Sequence, residues 1–141
     1  MTGPVHIMGI LNLTPDSFYP GSRVADAGDL VRRFETMLAD GADVVDLGAC
    51  STRPGAAQPS PEEEWHRLYP ALKALAGRRP GALSIDTYRS EIVRRAYETI
   101  GPFMVNDISA GQLDPVMLET VGSLGLPYVA MHLRGTPETM Q

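Results

Sequence analysis

Read along the chain, apolar residues change their spacing from two or one to three and four, and back, several times. Met8, Ile10, Leu11 and Leu13 form a short continuous run that suits a strand covered on both faces, and Pro15 cannot continue its ladder. From Asp26 to Asp40, Leu30, Val31, Phe34, Met37 and Leu38 recur at helical intervals, and Gly41 stops the pattern. Asp43 to Ala49 is a second apolar, β-branched run broken by Asp46, leading into the polar loop CSTRPGA. Ser60, Pro61 and Glu63 combine a cap, a proline at the first helical position and a glutamate three residues after the cap, which predicts a helix to about Ala76. Ala82 to Thr87 is a third strand ending in Asp86, with Ile92, Val93, Ala96, Tyr97 and Ile100 marking the helix behind it. Phe103 to Ile108 is a fourth strand, Asp114-Pro115 is expected to cap a fourth helix, and Pro127 to Leu133 is a fifth strand ending in His132.

Strand and helix alternate four times with short connections, the pattern of right-handed βαβ units and a parallel sheet. Open α/β sheets and (β/α)₈ barrels both gather ligand chemistry at the carboxyl ends of their strands. Every predicted strand here carries a polar side chain near that end: Asn12, Asp46, Asp86, Asn106 and His132. A neutral polar group left unpaired in the interior costs roughly 2–7 kcal/mol, so either a ligand or a structural network must supply partners. Ser51, Thr52 and Arg53 follow the second strand directly, and hydroxyls beside a guanidinium suit an anion such as a phosphate. A solvated arginine on a turn is the plainer reading of Arg53 taken alone, and Trp65 with Tyr69, four apart, reads as helix packing.

Composition narrows the partners. The 141 residues, 43% hydrophobic, suffice for one core, a single domain or part of one. Twelve basic and seventeen acidic residues give a formal charge of −5 without a basic cluster, which speaks against nucleic acid. Apolar stretches are strand-sized and the start lacks a signal-peptide pattern, so no membrane association is expected and the cytoplasm is the default compartment. Cys50 is the only cysteine, in keeping with a reducing compartment, and His6, His66 and His132 have no zinc-ligand spacing. Neither glycine-rich nucleotide motif nor a GxSxG elbow occurs.

Taken together, GILNLTPDSF, DLGACSTRPGA, SIDTYRSEI, VNDISAG and YVAMHLRGTPETMQ, in this order and spacing, resemble dihydropteroate synthase, a pterin-binding enzyme of folate biosynthesis. The resemblance implies a (β/α)₈ TIM barrel, of which this chain would supply about the first five strands and four helices. It implies a transferase joining 6-hydroxymethyl-7,8-dihydropterin pyrophosphate to p-aminobenzoate with release of pyrophosphate, the target of sulfonamides, with a homodimer possible for the full-length protein. By motif, Asn12 would help hold Mg²⁺, and Asn12, Asp16 and Arg53 would form the catalytic set. Thr52, Asp86 and Asn106 would line the pterin pocket with Ile108 and Met131 as apolar walls, while Phe18, Arg53 and Pro54 would belong to loops closing over p-aminobenzoate. The commoner family form reads SFSDGG where this chain has SFYPGS, so Pro20 stands where an acid is often found and Asp16 is left as the loop carboxylate. A (β/α)₈ barrel typically takes ~250 residues, so strands six to eight are expected to lie outside residues 1–141, with a second pocket aspartate, a Ser-Arg-Lys segment and an Arg-x-His anion site. Two rival expectations are a methyltetrahydrofolate-binding pterin barrel of a corrinoid methyltransferase system, disfavoured by TPDSF followed by STRPGA, and a non-catalytic truncated half-barrel.

Overall fold

A computed structural model describes residues 7–13, 27–49, 59–79 and 81–130. Within them the chain alternates β1 (Met8–Asn12), α1 (Ala27–Ala39), β2 (Val44–Gly48), α2 (Pro61–Leu75), β3 (Leu83–Asp86), α3 (Ser90–Ile100), β4 (Met104–Asp107), α4 (Met117–Leu124) and β5 (Tyr128–Ala130). The five strands are all parallel and lie in sequence order, as the alternating pattern requires.

One face of the sheet carries the core. Leu11, Val45, Leu47, Ile85 and Val105 point to the helices and meet Leu30 and Phe34 of α1, Leu68 and Leu72 of α2, Ile92 and Val93 of α3, and Met117 and Val121 of α4, all buried. Gly9 lets α1 come close to β1: a Cβ there would lie 2.8 Å from Met37 Sδ, which would have to move aside. Helix α2 starts as its sequence requires, because Ser60 Oγ accepts the Glu63 N–H at 3.1 Å while Glu63 Oε1 accepts the Ser60 N–H at 2.9 Å. Trp65 and Tyr69 pack along α2 with ring centroids 5.5 Å apart and planes tilted by 47°, a packing pair as expected.

One expectation needs adjustment. Asp114-Pro115 does not cap α4, which begins at Met117. Asp114 instead accepts the Ser90 N–H at 2.6 Å, capping α3 from a neighbouring unit, and the Val116 N–H at 2.9 Å. Its carboxylate serves a helix start distant in sequence, which local spacing cannot reveal. Of the fifth strand expected over 127–133, the described part is Tyr128–Ala130, and His132 lies outside the described residues.

Ser60→Ala removes one half of the capping box at α2. The expected loss is about 1 kcal/mol, read as a lower urea midpoint with an unchanged slope.

Candidate active site

The second face of the sheet carries the polar strand ends. In the parallel register Asn12 pairs with Gly48, Gly48 with Asp86, and Asp86 with Asn106, so these four residues form one row across β1 to β4 at the carboxyl ends. One row below lie Ile10, Asp46, Ser84 and Met104. Gly48 leaves a gap between Asn12 and Asp86: a Cβ there would sit 3.5 Å from Asp86 Oδ2, and without it a flat ligand has an open floor.

A hydrogen-bonded set ties the two rows together. Ser84 Oγ donates to Asp46 Oδ1 at 2.6 Å, and Asn106 Nδ2 donates to Asp46 Oδ2 at 3.3 Å across β3, beneath Asp86. Asn106 Oδ1 is then left as a buried acceptor with no partner among the described residues. Burial raises the Asp46 pKa above the usual carboxylate value, against the lowering effect of the hydrogen bonds from Ser84 and Asn106. Asp86 is pushed up to about 7, first by burial and then by the carboxylates of Asp46, Glu64 and Asp107. Four acids gathered at one end of the sheet, with only Glu64 paired to a cation among the described residues, is an arrangement folding alone does not favour, and such perturbed groups cluster at functional sites.

Behind β3, Glu64 is wholly buried and pairs with Arg89 at 2.8 Å, whose Nη2 also reaches the Pro59 carbonyl at 2.6 Å. This bridge fastens the start of α2 to the start of α3. Asp107, next to Asn106, faces the helices and is fully employed there: it accepts from Ser109 N and Oγ, Gly111 N and Tyr128 OH, all at 2.8–2.9 Å. Those bonds order the turn after β4 in which half-buried Ile108 sits. They also raise the Tyr128 hydroxyl pKa above its ordinary value, burial being the larger cause.

The structure therefore brings Asn12, Asp86 and Asn106 into one row and sets Ile108 beside it. Asp16, Phe18, Thr52, Arg53, Pro54 and Met131 lie outside the described residues. Sequence reasoning left Asp46 open and missed Gly48, Ser84 and Glu64. Strand alternation puts Asp46 and Ser84 on the polar face, but their partnership depends on register, and nothing local marks Glu64 as the buried member of its acidic run. Among the described residues no cluster of three or more His, Cys, Asp or Glu could hold a metal ion. Asn12, exposed at the open end of the row, is a hard oxygen donor of the kind Mg²⁺ accepts, and Mg²⁺ is commonly completed by phosphate oxygens and water. Among the described residues no helix is long and apolar enough to cross a membrane. A separate apolar hollow of about 290 Å³, lined by Leu75, Leu83, Ile100, Phe103 and Pro127 among others, opens at the amino ends of the strands, away from the polar row.

The family model for pterin binding enzymes matches residues 8–141. The chain belongs to the pterin binding enzyme family. It is 47% identical over 139 residues to the mitochondrial folate synthesis bifunctional protein of Arabidopsis thaliana, an alignment covering 96% of this chain and 25% of that protein. It is 42% identical over 136 residues to dihydropteroate synthase of Escherichia coli strain K12, covering 96% of this chain and 48% of that one. In structure it is similar to Yersinia pestis dihydropteroate synthase in complex with a sulfonamide drug, with a TM-score of 0.81, 39% identity, and coverage of 94% of this chain and 47% of the other. Burkholderia cenocepacia dihydropteroate synthase complexed with 7,8-dihydropteroate matches at a TM-score of 0.74 with 38% identity, over 96% of this chain and 44% of that chain. The chain thus spans about half the length of these synthases and a quarter of the bifunctional protein. As a pterin binding enzyme of TIM-barrel type, it supplies in its described residues five parallel strands and four helices of the (β/α)₈ pattern.

The Asp86 carboxyl sets a pH signature for this family member's stability. Its folded pKa is raised from 3.8 to about 7, so its contribution is fully present below pH 3.8 and is lost as pH rises towards and through 7. Asp86→Asn should therefore flatten the stability profile between about pH 4 and 7 and make the chain more stable than wild type above pH 7, by on the order of a few kcal/mol at most. Urea unfolding of both proteins at pH 5 and pH 8 checks it; equal loss of stability with pH in both would contradict it.

Proposed function

We propose that the protein is a dihydropteroate synthase, joining 6-hydroxymethyl-7,8-dihydropterin pyrophosphate to p-aminobenzoate with release of pyrophosphate, and that residues 1–141 form the N-terminal part of its single barrel domain. The observation that carries this reading is the row Asn12, Gly48, Asp86 and Asn106: a hydrogen-bonding edge beside a gap with no side chain. A pterin is a flat ring whose edge carries N–H donors, and the Asp86 carboxylate with Asn106 Oδ1 offers acceptors to match it. Thr52 and the apolar Ile108 and Met131 would complete that pocket, and Phe18, Arg53 and Pro54 would close over p-aminobenzoate. The relatives support the substrate class, since they include dihydropteroate synthases, one of them solved with 7,8-dihydropteroate.

Catalysis in this reading consists of holding the pterin, neutralising the departing anion and excluding water while the aromatic amine attacks the methylene carbon. Asn12, with Asp16 as the loop carboxylate, would hold Mg²⁺, which when bound neutralises pyrophosphate charge. Arg53 would contact the same anion. A cytoplasmic setting belongs to the same proposal, in keeping with the lone Cys50.

The uncovered face supports the half-barrel part of the reading. Ile10 is 67% exposed and Val129 39% exposed on the side opposite the helices, and β1 and β5 are the edges of the described sheet. Further strands would cover that face and bring more anion-binding groups. The same observation favours the rival, a half-barrel without catalysis, and an assay separates them.

In the complete synthase, Asp86→Ala and Asn106→Ala are each expected to weaken 6-hydroxymethyl-7,8-dihydropterin pyrophosphate binding roughly tenfold or more, from the loss of a buried hydrogen-bond partner. Titration calorimetry without p-aminobenzoate reads this; unchanged affinity in both variants would refute the pterin assignment.

For the 141-residue chain alone, p-aminobenzoate incorporation with Mg²⁺ is expected to be little or none, since one missing anion donor costs about 10²–10³ in rate. Turnover close to that of an intact synthase would contradict the half-barrel assignment.

A further inference from the structure

Asn106 can recognise a ligand in two opposite senses, because its carboxamide offers an acceptor on one side and a donor on the other. Its surroundings decide the sense. Asp46 lies one row below, on the far side of β3, with both oxygens engaged: Oδ1 by Ser84 Oγ at 2.6 Å and Oδ2 by Asn106 Nδ2 at 3.3 Å. With the amide nitrogen of Asn106 donating to Asp46 Oδ2, the Asn106 Oδ1 turns away from that carboxyl. That oxygen is the buried atom without a described partner. Asp46 and Asn106 are 2% and 8% exposed, so neither can exchange its partner for bulk water at little cost.

We propose that Asp46, itself held by Ser84, is a positioning residue that fixes the orientation of the Asn106 carboxamide and thereby makes the strand-end row accept N–H donors and reject ring edges that present acceptors. The ligand in this inference rests on the pterin reading; the positioning does not. Folding supplies a cheaper solution than the one observed, because apolar residues at 46, 84 and 106 would fill the same face without burying a carboxylate under Asp86. Changing Asp46 to Asn is informative for the same reason. With Ser84 keeping the side-chain oxygen, the new amide would face Asn106 with donors, and the Asn106 carboxamide would turn over, putting its own NH₂ towards the ligand.

The test uses the ¹⁵N-labelled chain with Asp46→Asn, Asp46→Ala, Asn106→Ala and the double variants, titrated with 6-hydroxymethyl-7,8-dihydropterin pyrophosphate in the absence of p-aminobenzoate. Either change at 46 should weaken binding about tenfold, whereas in the Asn106→Ala background the same change should cost less than twofold. Losses that multiply would overturn the proposal, because Asp46 would then act other than through Asn106. Without ligand, the Asn106 side-chain NH₂ pair, identified by its disappearance in Asn106→Ala, should be widely split in wild type and shift in Asp46→Asn. A pair left unmoved in the folded variant would also overturn it. Asp46→Asn keeps the shape of the carboxylate and serves if Asp46→Ala does not fold. If the 141-residue chain binds no pterin, the same variants are titrated in the complete synthase; if that too binds none while the NH₂ pair responds, the pterin reading fails and the positioning stands.

Discussion

A parallel strand sends successive side chains to opposite faces, and this two-residue period is the constraint on which the molecule depends. Leu11, Val45, Leu47, Ile85 and Val105 take the helix side, so Asn12, Asp46, Ser84, Asp86 and Asn106 are obliged to take the other. A slip of one residue would bury the acids under the helices and expose the core. Core packing and site assembly are therefore the same register read from two sides. Asp107 illustrates the alternation: one residue beyond Asn106, it faces the helices and spends its oxygens on Ser109, Gly111 and Tyr128.

The site keeps its acids close at some expense to stability. Asp46 is held by two hydrogen bonds, Glu64 by Arg89, and Asp86 sits near both with its pKa raised to about 7. A ring edge of N–H donors would relieve that repulsion. In the proposed pterin reading, stability forgone in the free protein and ligand affinity gained would be linked through one carboxylate.

Much of the architecture was legible along the chain, because βαβ units announce themselves in spacing: the capping box at Ser60, the helical stripe from Leu30 to Leu38 and the β-branched run at Val44 and Val45 all form what they imply. Asn12, Asp86 and Asn106 could be named because each ends a strand, and strand ends converge in this architecture. What stayed hidden needed contacts between units. Asp114 caps α3 across 24 residues, Ser84 meets Asp46 across 38, and Asn106 meets Asp46 across 60. Gly48 carries no side chain to draw notice, though its lack of one opens the floor of the row.

The central claim is that a pterin ring lies on the face opposite the helices, over Gly48, with its N–H edge turned to Asp86 and Asn106. A crystal structure of the chain with 6-hydroxymethylpterin tests it most directly. The account predicts ring nitrogens within hydrogen-bond distance of an Asp86 carboxylate oxygen and of Asn106 Oδ1. A ring seated in the apolar hollow beside Leu75 and Phe103, or turned so that Asn106 Nδ2 donates to it, would contradict the account.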